Sequence, residues 1–305
     1  MSDIDSLNTD FGISGCLSFK KDPSGLAILE INNRHASASI SLQGAHLMSW
    51  QPVGKEAAIW ISPAAKLSPG KSIRGGIPVC WPWFGDHDTH SDYPAHGFVR
   101  TLPWNVVHSS TLEDGETQVI FEFLPNNASK KYWPHSTLLR YTITVGKTLE
   151  LELQTTNNSA EEIEISEALH TYFNVSDVRE ISVEGLNNCA YLDKVDGFKR
   201  KHQTGQINFA AEVDRVYLDT ETTCTIHDPG LARQIHIKKR GSSSTVVWNP
   251  WIEKSDHMGD MGENGYLRMV CIESANAAAN KIKLAPGAVH SLWVGYSIDT
   301  TEAGQ

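Results

Sequence analysis

Six side chains in this sequence have types and settings suited to acid–base chemistry on an anionic ligand: Arg74, His96, Arg100, His170, Asp214 and Glu273. Imidazole titrates near neutral pH, so His96 and His170 can each move a proton. Glu273 closes the apolar run Val270-Cys271-Ile272, where strand alternation can carry a carboxylate to a buried mouth. Desolvation there raises its pKa towards that of a general base. Arg74 and Arg100 are the only Lys or Arg residues between Ser72 and Arg100, a stretch without periodicity that holds four glycines, three prolines and five aromatic rings. A long irregular segment of this kind reads as a binding or catalytic loop, and a guanidinium grips phosphate bidentately.

Each of these residues also has an ordinary structural reading. A lone histidine is more often structural than catalytic, and Glu273 reads equally well as a solvated strand-end carboxylate. Asp214, within Glu212–Tyr217, is more simply a turn cap or a partner of Arg215. The run Asp86-His87-Asp88-Thr89-His90-Ser91-Asp92 crowds five potential metal ligands together. Without a scaffold to fix them such a tip is a solvent-facing turn, and no metal is assigned to it. The sequence has no GxGxxG, no GxxxxGK[ST] and no GxSxG, which removes dinucleotide, nucleoside-triphosphate and α/β-hydrolase readings.

The elements that must hold these residues read as strands. Arg140–Val145 and Thr148–Gln154 are period-two runs flanking Gly146-Lys147, a hairpin with a two-residue turn. Further strands are expected at 118–124, 162–166, 180–184, 223–227, 234–238, 245–248, 269–272, 281–284 and 291–295, most of them separated by turn residues. One short helical turn is expected within Lys254–Met261, limited by Gly259 and Gly262. Many short strands without alternating long helices predict an all-β protein, a large antiparallel β-sandwich. With no linker or repeat, residues 1–305 form a single domain with loose ends at about 1–15 and 301–305.

Composition narrows the function. A formal net charge of −10 disfavours nucleic acid and anionic membranes as partners, and no apolar run approaches the roughly 20 residues that span a bilayer. The acidic start, Met1-Ser2-Asp3-Ile4-Asp5, lacks the features of a secretion signal, so a cytoplasmic monomer is expected. Five cysteines without CxxC spacing read as reduced, buried thiols.

Taken together, Arg74-Gly75-Gly76-Ile77-Pro78, Ala95-His96-Gly97-Phe98-Val99-Arg100, Leu169-His170-Thr171-Tyr172-Phe173, Asp214-Arg215-Val216-Tyr217, Trp248-Asn249-Pro250-Trp251 and Cys271-Ile272-Glu273-Ser274-Ala275-Asn276 resemble, in order, the glucose-6-phosphate 1-epimerases (hexose-6-phosphate mutarotases) of the aldose 1-epimerase superfamily. The resemblance implies a galactose mutarotase-like sandwich and the anomeric interconversion of a phosphorylated hexose, most simply glucose 6-phosphate. It implies a catalytic pair, His170 and Glu273. It gives substrate contacts to His96 and Asp214 on the sugar and to Arg74 and Arg100 on substrate, phosphate included. Some relatives carry Gln where this chain has Ala95, so one polar contact is missing or supplied elsewhere. Such a reaction requires neither metal nor cofactor. Trp81, Trp83, Phe84, Phe98 and Trp251 are then candidates to stack on sugar C–H faces, with Phe84 and Phe98 read as core. A non-catalytic carbohydrate-binding module, a glycoside hydrolase and an epimerase of unphosphorylated hexose are the alternatives.

Overall fold

In a computed structural model describing residues 3–126 and 129–301, strands dominate, and two large antiparallel sheets carry most of them. One sheet has nine strands and includes Thr137–Val145, Leu149–Asn157 and Val289–Thr300. The other has eight; its centre is built from Val213–Leu218, Ser244–Asn249 and Met269–Asn276. A four-stranded sheet formed by residues from Leu17 to Pro52 and a small two-stranded pair complete the set. This is the all-β sandwich architecture that the strand pattern predicts.

Strand alternation explains how the layers form. Along Met269–Asn276, Val270 and Ile272 point into the main core with Val247 and Tyr217 of neighbouring strands. Met269, Cys271 and Ala275 point the other way, into a second apolar cluster with Val216, Val246 and Trp248. A strand buried on both faces reads as a continuous apolar run, which is why this segment carries so few polar residues. Glu273 lies on the second face, with Cys271 and Ala275.

Several boundaries differ from expectation. The hairpin exists, but Val145 pairs with Leu149, so Gly146, Lys147 and Thr148 form a three-residue connection. The strand Met269–Asn276 runs past Ile272, which places Glu273 inside a sheet and not at a strand end. The helix near 254 spans Trp251–Met258, starting earlier than expected because Pro250 precedes it, and Gly259 in the left-handed region ends it. The N-terminal segment is not a loose end: Ile4–Phe11 is a helix that buries Leu7 against the core, and Asn8 exchanges hydrogen bonds with the backbone of Phe19. At the other end, residues 302–305 lie outside the described residues. Among the described residues no helix is long and apolar enough to cross a membrane.

The irregular stretch from Ser72 to Arg100 crosses one end of the eight-stranded sheet. It contributes the short strand Val79–Cys80 beside Glu167–Leu169 and returns through a bridge between Trp81 and Gly97. Gly97 has φ 71°, and a Cβ there would lie 1.9 Å from the Trp81 carbonyl oxygen, so only glycine permits this approach. The adjoining His96 is thereby turned towards the sheet face that bears Glu273.

Candidate active site

Register brings the two proposed proton carriers together. Leu169 pairs with Ser274 and Tyr172 with Cys271, so His170 lies opposite Glu273 across a short break in the ladder. Its Nε2 is 3.4 Å from Glu273 Oε1, and both side chains are buried. Tyr172 stacks on the His170 ring at 4.9 Å and 13°, and Trp248 meets it edge-on at 6.0 Å. His170 is therefore held on two sides by rings.

A cavity of about 280 Å³ opens over this pair and is lined by all six sequence-predicted residues. Arg74 donates from Nε to Asp260 Oδ1 at 3.0 Å and from Nη1 to the Tyr172 hydroxyl at 3.0 Å, which fixes the guanidinium at the rim. Arg100 donates to the Ala95 carbonyl oxygen at 2.8 Å and pairs with no carboxylate among the described residues. At position 95 the backbone, and not a side-chain amide, thus meets the site. His96 accepts a 3.3 Å bond from the Gly85 amide at Nδ1, which leaves Nε2 as the protonated, donating nitrogen. Asp214 enters from the adjacent strand at the register of Trp248.

Electrostatics set the proton inventory. Burial, and then the charge of Asp214, push the Glu273 carboxyl well above its ordinary pKa; Lys194 and Arg100 oppose that shift. Burial, then His96, Arg100 and Arg74, hold His170 well below the usual imidazole range. His96 is lowered to about 3, again first by burial, and stays a neutral imidazole. The His170 pKa is thus not raised, because burial comes first among its causes and the nearby cations act in the same direction. Glu273 Oε2 and His170 Nδ1 are buried without a hydrogen-bond partner among the described residues. Such orphans recur where a ligand completes the network.

Several residues at the site carried no signal in the sequence. Lys194 and Lys254 line the cavity beside Asp214, and Asp260 anchors Arg74. The expected stacking set also changes. Trp81 is fully buried in the core, Trp83 and Phe98 pack there too, and Trp251 packs against the core and meets Tyr266, whereas Phe84 and Trp248 line the cavity. Phe84 also borders a larger cavity of about 460 Å³ that shares His96 and Lys194 with the smaller one. The candidate pair His170 and Glu273 lines only the smaller of the two. The Asp86–Asp92 tip is mostly exposed; His87 and His90 pack on Tyr93, and Asp88 pairs with Lys281. Cys271 Sγ also lies within 4.8 Å of the His170 and Glu273 ligand atoms, and burial holds its thiol well above the ordinary pKa.

The fold is a galactose mutarotase-like sandwich: a galactose mutarotase-like protein of Clostridium acetobutylicum superposes with a TM-score of 0.72 at 16% identity, covering 93% of this chain and 98% of that one. The aldose 1-epimerase family model matches residues 27–297, and the chain belongs to that family. It is an isomerase of the mutarotase type. Among its relatives, an Escherichia coli protein named "Putative glucose-6-phosphate 1-epimerase" is 41% identical over 254 residues, 83% of this chain and 84% of that one. The crystal structure of a "putative mutarotase" from Salmonella typhimurium superposes with a TM-score of 0.89 at 35% identity, covering 95% of this chain and 96% of that one.

Proposed function

We propose that this chain interconverts the α and β anomers of a hexose 6-phosphate, glucose 6-phosphate foremost, as a cytoplasmic monomer. The observation that carries the reading is one cavity holding a buried carboxylate–imidazole pair with two unbonded polar atoms, beside Arg100, a cation free of any carboxylate partner among the described residues. Names given to relatives of this chain agree with a phosphorylated substrate.

In this mechanism Glu273 removes the proton of the C1 hydroxyl while His170 protonates the ring oxygen O5, so the C1–O5 bond breaks and C1 becomes an aldehyde. Rotation about C1–C2 presents the other carbonyl face. The O5 hydroxyl then attacks C1, returning its proton to His170 as Glu273 gives one back to the new C1 hydroxyl. Electrons and protons balance over the cycle, with no redox step. The productive form has Glu273 ionised and His170 protonated, a microstate that burial opposes; a phosphate dianion held by Arg74 and Arg100 favours the imidazolium half of it. His96 donates to a sugar oxygen and Asp214 accepts from a sugar hydroxyl.

A lectin-like module needs neither an acid nor a base, and a glycoside hydrolase normally uses two carboxylates flanking the scissile bond. Two-dimensional proton exchange between α- and β-glucose 6-phosphate separates these readings: the protein accelerates exchange above the buffer rate. Exchange at the buffer rate rules out the epimerase.

A further inference from the structure

Two ammonium groups converge on one oxygen of Asp214. Lys194 Nζ lies 3.2 Å and Lys254 Nζ 3.6 Å from Asp214 Oδ2. Lys194 follows the strand Ala190–Asp193, and its backbone amide also donates to the Asp214 carbonyl at 2.9 Å, so the two residues are joined twice. Lys254 comes from the helix Trp251–Met258 and bonds Glu212 at 2.7 Å as well. Both contacts fall on Oδ2, leaving Oδ1 for a sugar hydroxyl. Asp214 and Glu273 share one small cavity into which an anionic substrate must also come. Two carboxylates in a desolvated site disfavour each other's ionisation unless a cation offsets them.

Resting on the epimerase reading above, we propose that Lys194 is a positioning residue for the reaction: it pins Asp214 by Oδ2 and supplies the local positive charge that lets Glu273 work as a base. The other groups around Glu273 do not replace it. His170 faces Glu273 directly; Arg100 lies on the loop side and carries the second positive field; Cys80, Cys271, Tyr172 and Tyr296 lie within its field and are neutral near pH 7, since burial raises all four. Arg74 is engaged by Asp260 and Tyr172, and Lys254 is shared with Glu212. Among the described residues, Lys194 is thus the cation committed to Asp214.

The test measures kcat/KM against pH for Lys194→Met and Lys194→Arg, with glucose 6-phosphate and with glucose as separate substrates. Lys194→Met keeps the side-chain stem of a partly exposed residue and removes its charge. At pH 7 it lowers kcat/KM at least tenfold and by a similar factor on both substrates. The limb set by the Glu273 proton moves to higher pH by about one unit, the lower end of the shift an opposite charge produces. Lys194→Arg restores the limb and most of the rate. Lys254→Met shifts the same limb in the same direction by less, an arm that holds should Lys194→Met fold poorly. An unmoved Glu273 limb overturns the proposal, as does an arginine variant as damaged as the methionine one. A loss confined to glucose 6-phosphate also overturns it, because Lys194 would then be a phosphate ligand. A wild-type protein without exchange activity removes the epimerase reading itself, whereas normal exchange with an unmoved limb removes only the role of Lys194.

Discussion

Replacing Glu273 by glutamine separates chemistry from folding. The side chain is buried in the middle of a sheet, with Oε1 near His170 and Oε2 unbonded. Glutamine keeps its shape and can still bond the imidazole but cannot take a proton from C1. A positioned general base contributes on the order of 10²- to 10⁴-fold, so exchange between anomers falls by that factor. Stability moves the other way. An unsatisfied buried polar group costs about 1–3 kcal/mol and a charged one more, so removing the charge stabilises the fold by about 1 kcal/mol, or roughly 2 °C in Tm for a chain of this size. The pH dependence has a fixed sign. Burial raises the folded pKa of Glu273, so the folded state binds this proton more tightly than the unfolded state. Its contribution to stability is therefore intact below the unfolded carboxyl pKa and is lost as pH rises towards the folded value. The Tm advantage of Glu273→Gln thus widens between pH 5 and pH 8. Proton exchange spectroscopy and thermal melts on the same samples measure both effects. A variant within tenfold of wild-type activity, or a Tm gap that narrows as pH rises, refutes the reasoning.

Other expectations rest on separate parts of the molecule. Arg100→Ala loses up to about 100-fold in kcat/KM on glucose 6-phosphate, the upper part of the range for charge-assisted bonds, and much less on glucose; equal losses assign the arginine to structure alone. His290→Ala leaves the fully buried Glu167 with only Asn276 to bond, destabilising the protein by about 3–5 kcal/mol in urea unfolding. Burial lowers the His290 pKa, but the hydrogen bond and charge of Glu167 outweigh it and the net shift is upward, so the pair's contribution is full at mildly acidic pH and fades as pH rises through the raised value. The wild-type advantage over His290→Ala consequently shrinks in alkaline buffer; a gap that grows there contradicts the pairing. Gly97→Ala drives a methyl group to 1.9 Å from the Trp81 carbonyl oxygen at positive φ, and the thermal melt drops by several degrees as the loop carrying His96 shifts. An unchanged melt means that the loop relaxes freely.

Much of the fold was legible in the residues themselves. Period-two runs such as Thr137–Val145 and Leu149–Asn157 identify strands because only one face of each alternates into the core. The N-terminal helix was not read from the sequence, because its signal is only three residues: Ile4, Leu7 and Phe11 share one face and pack on the core, a stripe of two turns that is short for a helix pattern. The strand Val213–Leu218 was equally hidden, because both faces are covered and no alternation survives.

At the site, the sequence by itself determined which side chains could do chemistry: the residue types at Arg74, His96, Arg100, His170, Asp214 and Glu273 follow from local motifs. Tertiary structure decided everything that depends on distance. Sheet register sets His170 against Glu273, although about a hundred residues separate them, and backbone pairing over that span has no local trace. Burial by two apolar clusters set the direction in which their pKa values move, since desolvation depends on what covers a group and not on its neighbours in the chain. The ammonium of Lys194, from a turn with no motif of its own, reached Asp214 only because one strand pairs beside another.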